Sequence, residues 1–176
     1  MRSRFFVDAI VCLGMGMLTA CGQQQEQVGA EPEPVPAVVY DRTLVSNAQF
    51  LADNAQKAGV IVTPTGLQYR VIMAGTGERQ SSEEDMATVS YSGSLIDGTP
   101  PFDFTDPGET ITFPSNGLIA GWVEALKLMK GGDKWELVIP AELGYGSFGA
   151  GGVIPPNQVL VFEMELIKFG PPEVRP

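Results

Sequence analysis

Histidine is absent from the whole 176-residue chain. That removes the commonest general base, every Ser-His-Asp or Cys-His triad, and the most frequent transition-metal ligand. Cysteine is nearly absent too: Cys12 and Cys21 are the only two, both close to the N-terminus. No disulfide framework and no thiolate metal site is therefore expected in the body of the protein. Positive charge is scarce, with 11 Lys and Arg against 21 Asp and Glu, a formal charge of −10. A surface of that sign repels phosphate, so neither nucleic acid nor electrostatic attachment to anionic lipid is expected. Chemistry here is expected to run without thiol, imidazole, metal or cofactor.

What is plentiful is punctuation: Gly 21 and Pro 14 point to many turns and short strands rather than long helices. The length suits one domain with an appendage. Residues 1–20 read as an export signal, with Arg2 and Arg4 followed by a mainly apolar run from Phe5 to Ala20. That run is short for a membrane span. It closes on Leu18-Thr19-Ala20-Cys21, which resembles the lipobox of bacterial lipoproteins and makes Cys21 the expected lipidation site. An ordinary secretory signal with a chance cysteine is the alternative. Several acyl chains on one cysteine hold a protein to a bilayer far better than one. Gly22, rather than Asp, follows the cysteine, which favours the outer membrane of a Gram-negative cell, facing the periplasm. Residues 21–42 comprise the lipidated cysteine and a Gln-, Glu- and Pro-rich tether without apolar periodicity.

Ser46-Asn47-Ala48-Gln49 has the spacing of a capping box, and Ala48, Leu51, Ala52, Ala55 and Ala58 make a weak apolar stripe before Gly59. The pattern predicts a short helix across 43–59. Its stripe suits docking on the domain or a dimer contact and does not choose between them. From 60 to 170 the pattern is mostly of strands. Val60–Thr63, Leu67–Met73, Met86–Ile96, Thr110–Phe113, Lys134–Ile139 and Val159–Phe169 are the β-rich runs, and 171–176 is a tail. One further helix interrupts them. Ile119, Trp122, Val123, Leu126 and Met129 form a helical stripe, Glu124 and Lys127 fall on the other side, and Gly131-Gly132 supplies the stop. A helix so short needs its stripe covered, and only strands flank it. Plain core packing is the simplest reading of Trp122 and Trp135. The connection from Pro140 to Gln158 is long for a small domain, and loops of that length are more often functional than idle.

Val89-Ser90-Tyr91, Gly93, Asp97-Gly98, Phe102-Asp103, Ile119-Ala120-Gly121-Trp122, Leu143-Gly144-Tyr145-Gly146, Ile154-Pro155-Pro156-Asn157 and Leu160-Val161-Phe162 occur in that order. Together these motifs resemble the FKBP-type peptidyl-prolyl cis-trans isomerases from about Leu67 to Phe169. Gly66–Val71 and Glu124–Met129 look most like the bacterial macrophage-infectivity-potentiator group, here as a lipoprotein. The resemblance implies an α+β fold, an antiparallel β-sheet wrapped around one short α-helix, preceded by a short N-terminal helix. It also implies an isomerase domain over 60–170 that assists folding of exported proteins.

The same resemblance assigns the site. Tyr91, Asp103, Trp122, Tyr145 and Phe162 are the implied catalytic residues. Phe102, Ile111, Leu118, Ile119, Val153 and Ile154 are the implied substrate-binding residues, with Trp122 as the floor of the pocket. The implied ligands are proline-containing polypeptides and macrolides of the tacrolimus and rapamycin type. A competing reading of the same cleft is a non-catalytic peptide-binding or chaperone-like lipoprotein.

Overall fold

A computed structural model describes residues 40–80, 82 and 84–171. The expected export signal, Cys21, most of the expected tether and most of the tail lie outside the described residues. Helix α1 (Leu44–Ala55) comes first, followed by β1 (Val60–Val62), β2 (Gln68–Met73), β3 (Met86–Leu95), β4 (Asp103–Phe104) and β5 (Ile111–Pro114). Helix α2 (Ala120–Leu128), β6 (Lys134–Ile139), a 3-10 turn over Ala141–Leu143 and β7 (Leu160–Gly170) complete the order. All strand pairs are antiparallel, in the order β1-β2-β6-β7-β3-β4, with β5 also paired to β3. No helix among the described residues is long and apolar enough to cross a membrane.

The sheet curls around α2 because side chains alternate on each strand. Val89 of β3, Leu137 and Ile139 of β6, and Leu160, Met164 and Leu166 of β7 are all buried in the core that covers the helix. From α2 itself, Gly121, Trp122, Ala125 and Leu126 are buried. Glu124, on the outer side, accepts a hydrogen bond from Thr65 Oγ1 at 2.6 Å. The helix approaches β6 closely because Gly121 has no side chain. A Cβ there would lie 2.6 Å from Ile139 Cγ2. Trp135 is core, stacked on Tyr69 with ring centres 4.3 Å apart.

Helix α1 differs from its sequence expectation in start and in buried face. Its N-cap is Thr43, whose hydroxyl accepts from the Ser46 amide; Ser46 is three residues inside and accepts from the Asp41 amide instead. The capping chemistry is the expected kind, displaced by three residues. The alanine stripe is not the buried face: Ala48, Ala52 and Ala58 are exposed, whereas Asn47 and Asn54 are buried. Phe50 and Leu51, with Tyr40, pack on Ile96, Val138 and Val159. The helix therefore docks on the sheet of its own chain. Asn54 Nδ2 donates to Gln68 Oε1, and Gln68 Nε2 to the Leu51 carbonyl. Every such buried polar group must find a partner, and these do.

Candidate functional site

Strands β3, β4, β5 and β7, the start of α2 and the long loop after β6 converge on one cavity of about 440 Å³. That volume lies within the usual range for small-ligand sites, about 300–1,000 Å³. Its lining is Tyr91, Phe102, Asp103, Phe113, Gly117, Leu118, Ile119, Trp122, Tyr145 and Phe162. Register explains how residues so far apart in sequence meet. In the β3–β7 ladder Tyr91 lies opposite Met164 and Gly93 opposite Phe162, and Gly93 also pairs with Asp103 of β4. Two positions apart, Tyr91 and Gly93 share the face of β3 that looks toward α2.

Trp122 is the hub of the aromatic groups. Tyr91 stands edge-on to it at 4.9 Å between ring centres, Phe162 at 5.2 Å and Phe113 at 6.3 Å. Phe102 in turn meets Phe162 edge-on at 5.7 Å. These are the separations and angles that aromatic quadrupoles favour, so each ring holds the next in place. The walls meet tightly at Gly93: a Cβ there would lie 2.3 Å from Phe162 Cε1 and 3.0 Å from Phe102 Cζ. Glycine is required for close approach, since any side chain would push two walls of the cavity. The Trp122 indole nitrogen is buried and has no hydrogen-bond partner, so the floor contributes ring surface rather than a donor.

Few polar groups enter this lining. Asp103, exposed on β4, accepts a hydrogen bond from the Tyr91 hydroxyl at 2.9 Å. Burial pushes the Tyr91 phenol well above its ordinary value, helped by that bond and by the Asp103 charge. Burial, and then the Asp103 charge, raise Tyr145 as well. Both phenols are therefore protonated donors throughout the neutral range. Ile119 caps α2 with extended backbone, so its amide lies at the positive end of a helix dipole. Among the described residues no group of three or more His, Cys, Asp or Glu is placed to hold a metal ion.

Eight residues singled out by sequence lie together in the lining: Tyr91, Phe102, Asp103, Leu118, Ile119, Trp122, Tyr145 and Phe162. Three others do not line it. Ile111 is 40 % exposed at the outer end of β5. Phe113, two residues on and on the same face, fills that place with a ring long enough to reach Trp122. Val153 is 56 % exposed near the tip of the long loop. Ile154 belongs to the core cluster, its backbone bridged to Ala150. Sequence reasoning missed Phe113 and Gly117 as lining and Gly93 as the spacer between walls. For Phe113 the alternation along β5 was the available signal; for Gly93 the partner ring lies 69 positions away and leaves no local trace.

Residues 77–167 match the family described as FKBP-type peptidyl-prolyl cis-trans isomerase, and residues 16–71 match the domain amino terminal to it. The chain is 51 % identical over 130 residues to the FKBP-type 22 kDa peptidyl-prolyl cis-trans isomerase of Escherichia coli K12, covering 74 % of this chain and 63 % of that protein. It is 48 % identical over 119 residues to the outer membrane protein MIP of Legionella longbeachae, covering 67 % and 50 %. It thus spans between half and two thirds of the length of these two relatives. The crystal structure of FkpA from Escherichia coli superposes with a TM-score of 0.67 at 43 % identity, covering 72 % of this chain and 59 % of that one. On sequence and fold alike, the chain belongs to the FKBP-type peptidyl-prolyl cis-trans isomerase family.

Proposed function

We propose that this protein is a peptidyl-prolyl cis-trans isomerase acting on exported polypeptides, and that the aromatic cavity is its active site. The observation that carries this reading is the 440 Å³ cavity based on Trp122 and ringed by Tyr91, Phe102, Phe113 and Phe162. Rotation about an X-Pro bond is slow because the amide must lose its resonance, a barrier of about 20 kcal/mol. The twisted amide has a less polar carbonyl than the planar one. A site that replaces water with apolar walls therefore binds the twisted form better than the planar form, and that difference is catalysis. No nucleophile is involved.

In this reading the proline ring packs on the face of Trp122 while Phe102, Phe162 and Tyr91 exclude water. The Tyr145 hydroxyl and the Ile119 amide donate to carbonyls flanking the proline and fix the chain's orientation. Asp103 holds the Tyr91 hydroxyl and so sets the angle of that wall. Macrolides of the rapamycin type compete for the same cavity. We assign residues 1–20 as the export signal and Cys21 as the lipidated residue, which places the domain on an outer membrane. The outer-membrane name of the Legionella longbeachae relative supports that assignment.

The test is turnover of an X-Pro peptide by the folded chain, against the uncatalysed rate and with added rapamycin. Catalysis is expected, inhibited by the macrolide, and Phe162→Ala is expected to lower kcat/KM at least tenfold with circular dichroism unchanged. A wild-type rate equal to the uncatalysed one, with peptide still bound, would instead identify a peptide-binding module.

A further inference from the structure

The loop that carries Tyr145 is held from outside the cavity, by α1. Asn47, 5 % exposed, donates from Nδ2 to the Asn157 carbonyl at 2.7 Å and accepts the Val159 amide on Oδ1 at 3.4 Å. One side chain thus spans the chain on both sides of Gln158, 110 and 112 residues further along the sequence. The next link runs inward. Asn157 is the only described non-glycine residue with positive φ, at 58°, and in that conformation its amide donates to the Gly146 carbonyl at 2.7 Å. Gly146 follows Tyr145 directly, and Gly149 closes a turn onto the Tyr145 carbonyl at 3.2 Å. Gln158, also buried, strengthens the grip by donating from Nε2 to the Arg42 carbonyl at 3.0 Å.

We infer that Asn47 is a positioning residue for the Tyr145 side of the cavity, so that α1 is a working part of the isomerase rather than a spacer. Its amide group is the one side chain on α1 bonded to the loop's closing residues on both a donor and an acceptor atom. Asparagine is among the few non-glycine residues that take left-handed backbone at low cost, so where Asn157 sits is fixed by its bonds to Gly146 and Asn47. Loss of the Asn47 amide releases Asn157, and with it the Gly146 bond that sets Tyr145.

Asn54 supplies the control, being equally buried on α1 but bonded to Gln68 of β2, away from the loop. Asn47→Ala and Asn54→Ala are compared on the full chain, with thermal unfolding to match their stability losses. Hydrogen exchange is expected to rise at the Asn157 amide and across residues 145–149 in N47A and not in N54A. The kinetic consequence rests on the isomerase reading above: kcat/KM for an X-Pro peptide is expected to fall about fivefold in N47A and less than twofold in N54A. Combined with Tyr145→Phe, the N47A loss should not multiply, because both act through one side chain. Should N47A fail to fold, Asn47→Ser keeps a polar, uncharged side chain too short to span both Asn157 and Val159, with the same exchange signature expected. Equal exchange at the loop in both alanine variants would overturn the inference. A wild-type chain without turnover would defeat the isomerase reading alone and leave the exchange comparison to decide this one.

Discussion

Gly93 shows how much of the site depends on a missing side chain. An added methyl would lie 2.3 Å from the Phe162 ring, whose neighbours are Trp122 and Phe102. Overpacking of this kind costs about 1–3 kcal/mol of stability, but here the displaced atoms are also the cavity walls. Gly93→Ala is therefore expected to lower kcat/KM by more than tenfold while Tm falls only by several degrees, both read on the same preparation. The Tyr91 hydroxyl makes a separate prediction. Tyr91→Phe removes its bond to Asp103 while keeping the ring on Trp122, so peptide turnover should drop a few-fold rather than vanish. Full activity in that variant would show that the bond has no part in setting the wall.

At the scale of elements, α2 was the most legible part of the sequence. Trp122 and Leu126 fall at helical spacing and are buried, but the stop is not the expected one: α2 ends at Leu128 with Met129 extended, and Gly131-Gly132 shape the turn into β6 instead, Gly132 at φ 87°. Strands β3 and β7 were readable for the same reason, since burial largely alternates along each, as it does over the first half of β6; the end of β6 is buried on both faces because Val138 lies under α1. Strand β4 was not, because two residues cannot show a period. The docking of α1 was hidden by chemistry. Asparagine on a helix ordinarily marks a solvent face, and nothing near Asn47 in sequence announces a carbonyl at Asn157 waiting for it. Ile111, Val153 and Ile154 lie outside the cavity lining, since a resemblance carries residue types but not the exposure each position takes. The close contact of α2 with β6 gives the test at this scale. Gly121→Ala sets a Cβ 2.6 Å from Ile139 Cγ2 and forces the helix off the sheet. A stability loss of about 1–3 kcal/mol is expected by urea unfolding.

For the whole molecule, the lack of histidine predicts a broad pH plateau. Tyr91 and Tyr145 are raised by burial and by Asp103. Raised phenols contribute stability that is complete below the unfolded value of about 10 and is lost as pH climbs past it. Asp97 behaves oppositely. Burial works against its ionisation, but hydrogen bonds from the Thr99 hydroxyl, Arg42 and the Thr99 amide outweigh this and leave it below the usual carboxylate value. Its contribution is complete above about pH 4 and is lost as pH falls further. Stability and turnover should thus stay level between about pH 5 and 9, and a step near pH 6.5 would contradict the assignment of groups. The proposed attachment is tested at the same scale: Cys21→Ser, with residues 1–20 replaced by an ordinary cleavable secretory signal, is expected to move the protein from the membrane fraction to the soluble periplasmic fraction without changing peptide turnover.

Strand β7 lies between β6 and β3, and it is the last strand of the described chain. Until it emerges from the ribosome, β1, β2 and β6 cannot be joined to β3, β4 and β5, and Phe162 is not yet there to close the barrel-like wrap around Trp122. Native structure then forms late and all at once, as expected where pairings link distant parts of a chain. Two halves of a sheet that share one seam stand or fall together, so a chain cut before β7 is expected to keep neither half of the sheet nor the cavity.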